Sequence, residues 1–228
     1  MFLLPLLFLF APAFAGEAPF SEFTKVYVAV STNKIGAIQE VEGQFGFDFY
    51  FYFTWRDDRR NASADFNQSA HFFPSPELMN KADGEDIEYD CSCSNDGPQK
   101  YALSTIPAAE QSGTWVSCMS RPQVTLDAEL LLKAFPWDVQ SADIVIESAK
   151  WLAENLTWVP VASAAPGLYP PGGASSVSGW NISSTGATVY KKDYPSLGES
   201  YTALKLSLRL VRIPDYYITR YVWGVVFL

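Results

Sequence analysis

The chain has 228 residues, 48% hydrophobic and 15% aromatic, enough for one large β domain or two small ones with a sizeable core. Charged residues make up only 18% and the formal charge is −9, which argues against a nucleic-acid binder, since phosphates call for a basic face. Three cysteines and one histidine do not supply a zinc pattern, and no metal or cofactor is expected.

Met1 to Phe10 is almost wholly apolar, and Ala13-Phe14-Ala15 closes it with a small-x-small cleavage pattern. The run is too short to span a bilayer, so residues 1–15 read as a secretory signal peptide without a basic n-region; a membrane anchor is the alternative. Sequons at Asn61, Asn67, Asn155 and Asn181 fit a glycosylated extracellular surface. Asn61 and Asn67 fall in a polar stretch that reads as exposed loop.

Val26–Val30 reads as a strand, followed by a polar connection, Ile38–Gln44, with Gly43 at a turn position. Phe45–Trp55 has strict period two. Its odd positions, Phe45, Phe47, Phe49, Phe51, Phe53 and Trp55, form one wholly aromatic face, while Tyr50 and Tyr52 stand on the other. The strand ends in Trp55-Arg56-Asp57-Asp58-Arg59. Asp57 and Asp58 are adjacent and point opposite ways, which does not suit a glycosidase pair. The single histidine, His71, beside Phe72-Phe73, and the absence of G-x-S-x-G disfavour a hydrolase, and no enzyme is expected.

Phe72-Phe73-Pro74-Ser75-Pro76-Glu77-Leu78-Met79-Asn80 reads as an extended edge segment, because proline has no N–H for a ladder. Gly84–Ser112 is rich in Asp, Ser, Gly and Pro, and Thr114–Met119 resumes alternation. In a secreted chain, Cys91 or Cys93 is expected to bond Cys118. Val124–Lys133 and Ala142–Ser148 then flank the turn Phe135-Pro136-Trp137-Asp138, followed by Val139-Gln140; its aromatic rings need apolar cover. Trp151 follows. Residues 166–173 are a Pro/Gly-rich connection, and Trp180 opens a strand that ends at Tyr190. The loop Lys191–Tyr201 has tyrosines toward both ends, Tyr194 and Tyr201. Tyr201–Arg212 alternates leucines with polar residues and runs into Arg212-Ile213-Pro214-Asp215-Tyr216-Tyr217.

Four of these stretches stand in the order found in the pentameric ligand-gated ion channels, the Cys-loop receptor superfamily. Phe135-Pro136-Trp137-Asp138-Val139-Gln140 resembles the family's F-P-[FW]-D-x-Q, and Trp55-Arg56-Asp57-Asp58-Arg59 its W-x-D-x-R. Phe72 to Asn80 is similar to W-x-P-x-x-x-x-x-N with Phe72 for the tryptophan, and Arg212 to Tyr217 to R-x-P-x-[FY]-Y. The resemblance implies an all-β, immunoglobulin-like sandwich of about ten strands over 16–217. It further implies the start of a transmembrane helix over 218–228, placing the domain on the extracellular side of the cell membrane.

It also implies a homo- or hetero-pentamer that binds a small ligand between subunits and couples it to an ion pore. Trp151, Tyr194 and Tyr201 would face Tyr50 and Trp115 of the next subunit, and an amine is the expected ligand, since cations gain from aromatic faces. Coupling would fall to Glu42, Phe135, Pro136, Trp137, Asp138 and Arg212, with Arg212 paired to Glu42 or Asp138. Ala128 and Ala142 replace the family's hallmark disulfide, worth about 3 kcal/mol of loop closure, so packing of Phe135 and Trp137 is expected to fix the turn. A soluble or tethered ligand-binding or adhesion sandwich without a pore is the alternative.

Overall fold

The computed structural model describes residues 23–60, 66–84, 86–99, 102–161, 168–169, 176–177 and 179–219. The signal-peptide segment 1–15, the sequon at Asn61 and residues 220–228 lie outside them. The chain is all-β, with strands in two sheets. The first sheet contains β1 (Thr24–Gln39), β2 (Gln44–Arg56), β4 (Lys81–Gly84), β5 (Asp90–Ser94), β6 (Trp115–Ser120), β7 (Gln123–Asp127), β9 (Leu156–Pro160) and β10 (Leu168–Tyr169). The second runs β11 (Ser176–Val177), β12 (Trp180–Tyr194), β13 (Glu199–Arg212), β8 (Val139–Ser148) and β3 (Pro76–Leu78).

The period-two strand organises the core. Phe45 through Trp55 at the odd positions of β2 are between 0% and 3% exposed. They face Ile144 and Ile146 of β8 and Leu204, Leu206, Leu208 and Leu210 of β13, all buried in the same cluster. Six aromatic side chains bury on the order of 150–250 Å² each, so this strand supplies a large share of the apolar burial. Edge-on contacts such as Trp55 with Phe72 (5.9 Å) lock the rings together. Pro76 opens β3 at the border of the second sheet, where a missing N–H costs nothing.

Two strands outrun their sequence signals. β1 continues past Val30 to Gln39 because irregularities between Thr32 and Lys34 and between Ile35 and Ile38 keep it paired with β2. β12 continues to Tyr194, held by its ladder with β13. The polar stretch 84–112 contains β5, which pairs with β6 and carries the disulfide Cys91–Cys118, leaving Cys93 as a free thiol. Part of that stretch also folds over the outward face of the first sheet. There Ala102 and Ile106 bury Tyr27 and Trp115 in a second, smaller cluster.

The described chain closes in one helical turn, Asp215–Tyr217. No helix among the described residues is long and apolar enough to cross a membrane.

Candidate functional site

Two constellations of polar and aromatic side chains stand out, one at the tip of the β12–β13 hairpin and one where β13 ends. The hairpin turns through Pro195–Gly198, with Tyr194 and Glu199 paired in register and Gly198 at φ +69°. That left-handed conformation suits glycine. Both Leu197 and Gly198 donate their N–H to the Tyr194 carbonyl at 3.0 Å. Tyr194 and Tyr201 meet edge to face at 5.7 Å, and the Tyr201 hydroxyl donates to Glu199 at 2.8 Å. Glu199, together with burial, pushes the Tyr201 phenol above its ordinary value.

Beneath this hairpin a cavity of about 150 Å³ is lined by Glu77, Glu147, Ala149, Tyr194, Leu197 and Tyr201, among others. Glu147 is buried there. One of its oxygens takes the Lys192 ammonium at 2.9 Å and the other accepts the Tyr194 hydroxyl at 2.8 Å. Lys192 also stands 4.9 Å over the Tyr194 ring. Hydrogen bonding to Tyr194, and then to Glu147, holds the Lys192 ammonium above the ordinary lysine value despite its partial burial.

Tyr194 and Tyr201 are therefore brought together as expected, but Trp151 does not join them. Ser148 caps the turn that follows β8, accepting from the Trp151 N–H at 2.9 Å. The indole is directed at Phe72 (5.2 Å) and donates to the Phe73 carbonyl at 2.6 Å. Ser148 and Ala149 form the cavity wall instead. Trp115 is likewise corrected: only 2% exposed, it packs on Tyr27 and donates to the Gln111 carbonyl at 3.2 Å. It is core beneath the folded-over segment. Tyr50 remains on the outward face of the first sheet, stacked on Tyr52 at 6.1 Å with the Arg121 guanidinium 5.1 Å from its ring. Arg121 is itself held by Asp48 at 3.0 and 3.1 Å. Beside Tyr52 a cleft of about 290 Å³ opens against Met119, Asp90 and Gln99.

At the foot, Arg212 is buried at the end of β13 and donates to both Asp138 oxygens, at 2.5 and 3.0 Å. Its remaining terminal nitrogen meets Glu40 and, at 3.2 Å, the Tyr217 hydroxyl. The guanidinium lies 4.1 Å from the Trp180 ring and 4.9 Å from Phe135. Burial alone would raise the Asp138 carboxyl, but donors from Arg212 and Gln140 overcome it and hold the group below its ordinary 3.8. Glu42 is not the partner: it sits exposed in the β1–β2 turn, and Glu40, at the start of that turn, makes the contact.

The rings of the Phe135-Pro136-Trp137 turn are also less covered than expected, Trp137 being 65% exposed and Phe135 44%. What holds the loop is Gln140, whose amide donates to the Leu131 carbonyl and whose oxygen accepts the Leu131 N–H, both at 2.9 Å. Gln140 also donates to Asp138 at 2.6 Å. Phe135 meets Tyr217 edge-on at 4.7 Å. Around this end Val41, Leu131, Leu132, Trp137 and Val139 are exposed apolar side chains.

Glu40, Gln140, Glu147 and Lys192 were missed as functional candidates. Gln140 had a signal, its place in the turn motif. Glu147 had none, since strand phase puts it with Asp143 and Val145 on the outward face, and its contacts there come from Lys192 and Tyr194, far along the chain. Asn67 and Asn181 are exposed and Asn155 is half-buried. Among the described residues no group of three or more His, Cys, Asp or Glu is placed to hold a metal. No protein-family model matches the chain, and no curated protein matches it.

Proposed function

We propose that this chain is the extracellular ligand-binding part of a pentameric ligand-gated ion channel subunit, with an immunoglobulin-like sandwich over residues 16–217. The observation that carries the reading is the foot. A buried arginine at the last residue of the last strand is forked onto the aspartate of the Phe-Pro-Trp-Asp turn and onto Glu40 of the β1–β2 turn. Three separate segments are thereby tied together at one end of the sandwich, beside exposed Trp137, Leu131 and Val41. An apolar, knotted end suits a surface that presses on a membrane domain.

Ligand recognition is assigned to the cavity under the β12–β13 hairpin, with Tyr194, Tyr201 and the buried Glu147 as its chemistry. A carboxylate and two phenol rings suit an amine. Tyr50 and Tyr52 stand on the opposite sheet, so a ligand that used both walls would sit between neighbouring copies. The apolar stretch beginning at Ile218 would enter the membrane, and Asn67 and Asn181 would carry glycans.

The test is the complete subunit that carries this chain, pore helices included, expressed in oocytes with a panel of primary, quaternary and zwitterionic amines. Dose-dependent currents are expected, with half-activating concentrations raised at least tenfold by Tyr194→Ala and Tyr201→Ala at equal surface expression. Mass photometry of the detergent-solubilised protein is expected to give pentamers. A dimer or trimer, or unchanged dose–response curves in both variants, overturns the reading. The second reading, a ligand-binding sandwich without a pore, gains support if amines bind and no current flows.

A further inference from the structure

Glu147 and Glu77 are directly opposite one another in the β3–β8 ladder. Like charges so placed repel, and both carboxylates border the cavity under the β12–β13 hairpin. Glu77 is exposed and has no ion-pair partner among the described residues, whereas Glu147 is buried and satisfied twice. Its cation is Lys192, a residue of the hairpin that roofs the cavity. The same ammonium stands 4.9 Å over the Tyr194 ring. A buried carboxylate beside an aromatic face is the arrangement that recognises an ammonium group, and here the protein's own lysine fills it.

We infer that Lys192 is an internal, displaceable occupant of the amine site, so that an incoming ammonium ligand binds by exchanging with it on Glu147 and the Tyr194 ring. The inference rests on the ligand site proposed above and names what regulates it. The exchange is physically open. The Lys192 side chain is 37% exposed while that of Glu147 is 4% exposed, so the lysine can swing to water but the carboxylate cannot. Leaving Glu147 buried without a cation is costly, which favours replacement over simple departure. Lys192 and Tyr194 are on the hairpin, whereas Glu147 is on β8. The body of the hairpin stays paired to β8 through β13, so exchange replaces only the ion pair between its tip and β8 with a ligand-mediated contact. Binding and hairpin position become linked through one carboxylate.

The test uses the purified full-length chain and propylammonium chloride as probe, read by saturation-transfer NMR and by melting temperature against equal sodium chloride. Lys192→Met empties the site. It is expected to bind propylammonium at least tenfold more tightly than the native chain, and to melt lower than it. Propylammonium should raise that melting temperature, while sodium chloride does not. Adding Glu147→Gln to Lys192→Met should abolish both effects. Lys192→Gln, whose amide can still donate to Glu147, carries the same comparison if the methionine variant does not fold.

Equal affinity in the native and Lys192→Met chains overturns the inference, as does an emptied site that takes no propylammonium. The two proposals fail separately. A chain whose currents depend on Tyr194 but whose Lys192 variants bind no more tightly loses only the displacement idea. Tighter propylammonium binding without any current removes the channel and keeps the displaceable lysine.

Discussion

Arg212 is buried among two carboxylates and an aromatic ring, so its surroundings carry a large energetic stake. A guanidinium this deeply buried carries a desolvation cost of several kcal/mol, offset here by two carboxylates and an aromatic face. Arg212→Gln leaves Asp138 buried without its cation, and is expected to destabilise the fold by about 3–5 kcal/mol in urea melts. Adding Asp138→Asn should return part of that loss, and a double-mutant cycle would measure the coupling. Glu40→Gln should weaken the same knot, whereas Glu42→Gln should be neutral. Loss of stability from Glu42→Gln equal to that from Glu40→Gln would contradict the placement.

The knot also has a pH signature. Asp138 has a folded value below its ordinary 3.8. Its contribution is therefore fully present above that ordinary value and is lost as pH falls through the lower folded one. Acid unfolding of the native chain should steepen below pH 3.8, and the Asp138→Asn chain should lose that component.

At the scale of elements, the β5–β6 hairpin is an add-on made secure by covalent chemistry. Cys91 and Cys118 stand opposite in register and close a separation of 27 residues. Removing the bridge through Cys118→Ala is expected to cost about 3–4 kcal/mol from loop closure, while Cys93→Ala should stay within about 1–2 kcal/mol, the cost of one small partly buried side chain. Chemical denaturation with and without reductant checks both. The same region separates two aromatics, Trp115 and Tyr50, that the family resemblance placed on one binding face. Trp115→Ala should cost about 3–5 kcal/mol, as a core tryptophan does. Tyr50→Ala, on the open face, should cost much less. Comparable losses at the two positions would show that the outward face is packed throughout.

At the scale of the whole molecule, the fold places its two polar constellations outside the aromatic core face of β2, at strand ends and turns. The hairpin tip and the foot lie at the two ends of the same strand, β13, which starts at Glu199 and stops at Arg212. A shift of that strand as a rigid element would be felt at both. The foot is also where solubility should be weakest, because Val41, Leu131 and Trp137 are exposed together. Replacing these three with serine should leave the melting temperature within a few degrees and reduce aggregation of detergent-free protein in light scattering. Unchanged aggregation would locate the sticky surface elsewhere, and a collapse in stability would mean these side chains are buried in the assembly.

Local pattern by itself determined the architecture's central strand. Strict alternation in Phe45–Trp55 admits one buried face whatever it packs on, and the leucine alternation of Tyr201–Arg212 does the same for its partner. The prolines at 74 and 76, the cysteine at 118 and the hairpin ending in Tyr194 and Tyr201 were legible for similar reasons, each resting on a residue's own covalent limits or on strand period. Burial of particular polar groups was decided only by tertiary structure. Glu147 and Glu40 carry no local mark that separates them from Glu77 and Glu42; the difference is which distant cation reaches them, Lys192 for Glu147 and Arg212 for Glu40. Trp115 and Trp151 were drawn toward the ligand because large aromatics serve equally as core and as binding wall, and only the segment over Trp115 and the Ser148 turn before Trp151 settle the choice. Periodicity states which side of a strand a residue takes, but the partner on that side comes from chain brought together over long separation, as Arg212 and Glu40 are.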